Sequence, residues 1–174
     1  MPLDAFTRAL LEHHTAQAPS TEDAWFGPWN TILTSLFPST QGYLVNPQER
    51  LPIDGQNHIP NFLIIEVIKV STPPLTGRGL TYRTVLIVEI KNTQHWPSGI
   101  QTLKRQLGMQ ADAAFSGTAR DKVYWIGAIG PHWQYGEKID EGGEVQEFIR
   151  WHETTHDSES FNDLQALVQL VVAL

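Results

Sequence analysis

The stretch TVLIVEIKN, residues 84–92, closes a strongly apolar run with Glu89 and Lys91, two positions apart. In a strand, residues i and i+2 project from the same face. A buried charge is costly unless it is paired or used. The two groups are therefore a structural ion pair, the point where a strand end reaches water, or half of an active site. As chemistry, a carboxylate is a hard oxygen ligand for a divalent cation. An ammonium beside it can orient or deprotonate a water and stabilise a developing anion. A second constellation is His152, Glu153 and His156, a literal H-E-x-x-H. That zinc motif works only on a helix, where both imidazoles share one face. Here it follows a strand pattern and sits in the most acidic segment, so the context speaks against zinc. His13 and His14 read as solvated, and His58, His95 and His132 are dispersed.

The elements that must position these groups are legible as patterns. Residues 3–14 read as a short amphipathic helix. Ser20 or Thr21 can cap a second one, with Glu22 and Asp23 in its first turn, running to Pro38 with a kink or restart at Gly27-Pro28. Trp25 and Trp29 read as core. QGYLVNPQERL reads as an edge strand. Residues 61–70 and 82–91 are β-branched strands, joined by an exposed loop. Their nearly continuous apolar character predicts a sheet covered on both faces. In 98–117, Ile100, Leu103, Leu107, Ala111 and Ala114 recur at helical spacing, with Gln106 and Gln110 flanking that stripe and Gly117 as its stop. A strand over 122–130, a hairpin and an apolar C-terminal helix complete the chain. This order predicts one mixed α/β domain over 1–174, with 1–20 as a helical extension and 21–174 as the core.

Composition narrows the function classes. The chain has 174 residues, no cysteine and a formal net charge of −7. Disulfides, thiolate metal sites and thiol catalysis are excluded. Bulk nucleic-acid binding by charge alone is disfavoured. No apolar run is long enough for a membrane span, and MPLDAFTRALLEHHT is not a secretory signal, which predicts an intracellular protein. Charge is uneven: residues 78–122 carry seven Lys/Arg against three acids, and 137–163 carry nine acids against two bases.

Strand, turn, a strand ending in Glu-x-Lys, then a helix carrying Gln resembles the PD-(D/E)XK superfamily, the restriction-endonuclease-like nucleases. IPNF stands where that family has Pro-Asp, EIK matches its E-x-K, and Gln106 in RQL matches its helical Gln. FGPWNTILTSLFP with VNPQ is also similar to uncharacterised fungal proteins of this class. The resemblance covers roughly residues 22–170.

The resemblance implies a restriction-endonuclease-like sandwich, a central mixed β-sheet flanked by helices. It implies metal-dependent phosphodiester hydrolysis of DNA or RNA with Mg²⁺ or Mn²⁺. Glu89, the residue at 61 and the carbonyl of Ile90 would hold the cation, Glu22 would add an outer carboxylate and Asn30 a hydrogen bond. Lys91 and Gln106 would serve the reaction. Arg78, Arg83, Lys104 and Arg105 would border the same cleft. Asn61 departs from the pattern, because its neutral carbonyl is a poorer Mg²⁺ ligand than a carboxylate. The implied activity is therefore impaired, with Asp54 as a substitute acid and Glu66, further along the same strand on the opposite face to Asn61, out of reach. The alternative is a non-catalytic binding module that kept the fold, serving a protein partner or a second copy of itself.

Overall fold

The computed structural model describes residues 3–50, 62–71, 79–115 and 122–174. In chain order the elements are α1 (Ala5–Ala16), α2 (Asp23–Leu36), β1 (Tyr43–Arg50), β2 (Phe62–Ser71), β3 (Thr81–Lys91), α3 (Ile100–Phe115), β4 (Val123–Ile129), β5 (His132–Lys138), β6 (Gln146–Glu147) and α4 (Ser158–Val172). The six strands form one mixed open sheet in sequential order β1 to β6. All neighbours are antiparallel except β3 and β4, which are parallel and joined through α3. The α/β class and the covered sheet stand as the sequence predicts.

Two cores lie on the two faces. One joins Leu11, Trp25, Trp29 and Ile32 to Val88, Ile90, Trp133 and Leu164, so α1, α2 and α4 cover that face. The other joins Ile64, Ile87, Trp125 and Ile129 to Leu103, Leu107, Ala111 and Phe115 of α3. The β-branched strands can be buried on both sides because each face has its own helical layer. Pro47 lies on β1, the sheet edge, where a missing N–H is tolerated. Gly130 makes the β4–β5 turn with φ 60, a left-handed conformation natural to glycine. Gly117 and the β2–β3 loop from 72 to 78 lie outside the described residues.

Three local expectations are corrected. α2 runs unbroken through Pro28, with no restart. Proline lacks the N–H that would bond the carbonyl four residues back; that carbonyl, Ala24, accepts instead from His14 Nε2 at 3.2 Å. His14 is accordingly half-buried against the edge of Trp25, at 5.5 Å between ring centroids, rather than solvated. The α2 N-cap is Glu22, with no side-chain capping bond, so neither Ser20 nor Thr21 caps it. α1 and α4 are capped by carboxylates, Asp4 on the N–H groups of Phe6 and Thr7 and Asp157 on that of Ser160, which are strong N-terminal acceptors.

Candidate functional site at the end of strand β3

β3 is a central strand, and Glu89 sits in it opposite Ile64 of β2 and Gly127 of β4. Paired residues share a face, so Glu89 points towards α3, the side of Ile64 and Ile87. Its exposure is 0%. Gly127 explains that depth. A Cβ there would lie 2.8 Å from Leu103 Cδ2 and 3.1 Å from Leu107 Cδ1, so only glycine lets α3 settle this close beside Glu89. Lys91 follows on the same face, also buried, with its Nζ 3.0 Å from Glu89 Oε1. The two strands then part. Among the described residues the β2–β3 ladder reaches Ile64 opposite Glu89, whereas β3–β4 continues to Lys91 opposite Ile129. The pair therefore lies where one neighbour leaves β3 and the other stays.

Gln106 and Gln110 are one turn apart on α3, and each buries its Oε1 with no hydrogen-bond partner among the described residues. Their flank follows from helix geometry. Lys104 pairs with Glu147 of β6, and Asp112 accepts from Lys138 of β5 at 2.7 Å, so that side of α3 faces β5 and β6. Positions 106 and 110 lie about 200° around the helix from 104 and 108, on the side towards β2. Lys138 is 2% exposed and also donates to the Gly108 carbonyl. Burial pushes the Asp112 carboxyl up, but hydrogen bonds from Lys138 and the Gly142 N–H, with the Lys138 charge, bring it below its ordinary value.

The expected site residues thus separate into three groups. Glu89 and Lys91 come together, with Gln106 on the helix above the same face. Asn61 lies outside the described residues, as do Asp54 and Arg78. Ile90 directs its side chain into the opposite core. Glu22 belongs to α2, which packs on that opposite face, and its partner is His95 Nε2 at 3.8 Å. Asn30 is likewise on α2.

Of the basic residues expected beside Lys91, Arg83 turns to the opposite layer. Arg83 Nη1 donates to the Leu174 carbonyl just past α4, on the other face from α3, at 3.0 Å, and Lys122 pairs with Glu137 at 2.8 Å. The expected shared border of Arg83 with Lys104 is overturned, because the two serve opposite layers.

Sequence reasoning set Glu66 aside as out of reach of the site. It is 8% exposed and lies opposite Ile87, on the same face as Glu89 and diagonally beside it. Diagonal neighbours of this kind have Cα atoms about 7–8 Å apart. Strand parity gave the signal, but the register that brings 64 to 89 depends on the β2–β3 loop, which parity alone does not fix.

The H-E-x-x-H segment is not helical. His152 Nε2 lies 2.8 Å from Asp163 Oδ2, with its ring stacked on Trp133, while His156 turns to Thr154. Among the described residues no group of three or more His, Asp or Glu could hold a metal ion. Among the described residues the groups near Glu89 do not by themselves make a divalent-cation site, and Lys91 pairs with its carboxylate at 3.0 Å. No helix of the described residues is long and apolar enough to cross a membrane.

No family model, curated protein or solved structure matches the chain.

Proposed function

We propose that this chain is a nuclease-like protein of the PD-(D/E)XK class in which phosphodiester hydrolysis is impaired. The observation that carries the reading is the position of Glu89 and Lys91. They end a buried central strand where β2 diverges, beneath a crossover helix that carries Gln106 and leads into a parallel β4. This is the order and placement that the Glu-x-Lys resemblance implies for a restriction-endonuclease-like sandwich. Impairment follows from Asn61, which supplies no anionic oxygen, and from the ion pair that occupies Glu89. Mg²⁺ or Mn²⁺ is the cation such a centre would require, and DNA or RNA its substrate. The test is metal-dependent cleavage of single- and double-stranded DNA and of RNA by the protein and by Asn61→Asp. Little or no cutting is expected from the first, and measurable Mg²⁺- or Mn²⁺-dependent cutting from the second. An Asn61→Asp variant that neither cuts nor binds metal would remove the nuclease reading. Efficient cutting by the unaltered chain would move the cation to other residues.

A second reading is a non-catalytic interaction module on the same scaffold. The complete burial of Glu89 favours it. Nucleic-acid binding that weakens steeply with added salt would speak for a phosphate-backbone ligand; none even at low salt would favour a protein partner.

A further inference from the structure

We propose that the nucleic acid this site takes is single-stranded, with its bases held against Trp96 and Trp151 beside Lys91. The inference rests on the nuclease-like reading and names the substrate class of that same site. The chain has six tryptophans. Trp25, Trp29, Trp125 and Trp133 are fully buried. Trp96 and Trp151 are the exceptions. Both are half-buried, and they stand together, with 5.0 Å between ring centroids.

The strand register places them at the candidate site. Lys91 lies opposite Ile129 of β4, and Ile129 lies opposite His132 of β5, so the three share one row on the face under α3. Two strand spacings, about 10 Å, separate Lys91 from His132. Trp96 stacks on His132 with centroids 3.9 Å apart. Both indoles pack against the α3-side core while keeping part of their surface in solvent. Trp151 crosses Trp96 at 66°, so the two make a corner rather than a stack. A flat base can lie against one indole and meet the edge of the other.

Charge selects the base over the phosphate at this corner. Glu22 lies 3.8 Å from His95, the neighbour of Trp96 in sequence, and the Glu153 charge acts on His132. These acids repel a phosphate and leave an uncharged ring as the fitting occupant. A duplex fits less well, for two reasons. Its bases are paired inside and reach an aromatic side chain only after unstacking. Its stiff backbone needs a track of cations, whereas Arg83 serves the opposite layer and Lys104 and Lys122 are held by Glu147 and Glu137. Glu89 and Lys91 are 0% and 6% exposed, so a flexible strand brings a phosphate to them more readily than a rigid cylinder does.

The experiment is binding of fluorescent oligothymidylate and oligouridylate to the full chain, in EDTA at low salt, beside a hairpin duplex and an abasic strand of equal length. The proteins are the unaltered chain, Trp96→Ala, Trp151→Ala and a control, Phe6→Ala, which removes a 76% exposed ring from α1 in the opposite layer. A single strand should bind about tenfold or more tighter than the duplex or the abasic strand, and each tryptophan variant should weaken it by a similar factor, the usual loss for one stacked base. Phe6→Ala should bind like the unaltered chain. The tighter of the two single strands tells DNA from RNA. Should Trp96→Ala fail to fold, Trp151→Ala and the abasic strand decide.

The proposal is overturned if neither single strand binds, if the duplex or the abasic strand binds as tightly, or if no folded tryptophan variant weakens binding more than Phe6→Ala does. All of this is read without metal and without cleavage, so it fails separately from the nuclease-like reading. An Asn61→Asp variant that cuts in Mg²⁺, with no dependence on Trp96 or Trp151, loses this inference alone.

Discussion

The two faces of the sheet bury similar strands in different ways. The face under α1, α2 and α4 is aromatic. Trp25, Trp29 and Trp133 are fully buried there, and Trp29 meets Trp133 edge to face at 5.9 Å. The face under α3 holds Glu66, Glu89, Lys91, Gln134 and Lys138, all buried. Aromatic packing is dense and non-directional, and it carries stability. Buried charges and amides are costly, and they survive where partners are in place or where chemistry uses them. The difference is one of proportion: the α3 face also buries Trp125, and the other face also buries Glu137 and His152.

The largest expected effect breaks the comparison on its apolar side. Trp29→Ala removes a fully buried indole and its contact with Trp133. A loss of about 3–5 kcal/mol is expected, read by denaturant unfolding, with no change in whatever the α3 face binds. A middle-sized effect belongs to Gly127→Ala. The added methyl would meet Leu103 and Leu107 and lift α3 from β4. Overpacking of this kind costs about 1–3 kcal/mol. Faster hydrogen exchange should appear in α3 while α2 is unchanged. If exchange rises equally in both helices, the two layers are not independent. A smaller effect is expected from Lys104→Ala. Its ion pair with Glu147 is only part-buried, with side-chain exposures of 27% and 39%, and such pairs contribute about 0.2–1 kcal/mol.

How much of this was legible beforehand differs between the layers. The apolar periodicity of 98–117 placed α3, and the β-branched runs placed β2 and β3 within a residue or two, because both signals are local. Glu89 and Lys91 followed from i, i+2 parity. Glu66 was judged against Asn61 and set aside, because its place beside Glu89 depends on pairing across a long loop. The continuity of α2 through Pro28 was missed because His14, ten residues before Ala24, supplies the replacement bond from another helix. The split of the basic residues was equally hidden. Their clustering in sequence straddles a strand and a crossover helix that serve opposite faces.

The smallest expected effect is a slope with pH. His132 begins β5 and stacks on Trp96, with ring centroids 3.9 Å apart. Burial holds its imidazole below the ordinary histidine value, against the raising influence of the Glu153 charge and of a backbone hydrogen bond with His152. The folded state therefore resists protonation, while the unfolded chain takes up a proton near pH 6.5. The unfolded state binds more protons below that value, so stability contributed by neutral His132 is present above it. It is lost progressively as the pH falls towards the folded-state value. Asp112 carries the same sign in a lower window, because its carboxyl is held below 3.8 in the fold and its contribution fades only in stronger acid. Tm measured between about pH 7.5 and pH 5 should thus fall for the unaltered chain and fall less for His132→Gln. The absolute Tm of the variant is set partly by the lost stack on Trp96, so the slope is the quantity to compare. Equal slopes would show that the acid-side loss in this window arises from other groups and that His132 packs without consequence for its charge.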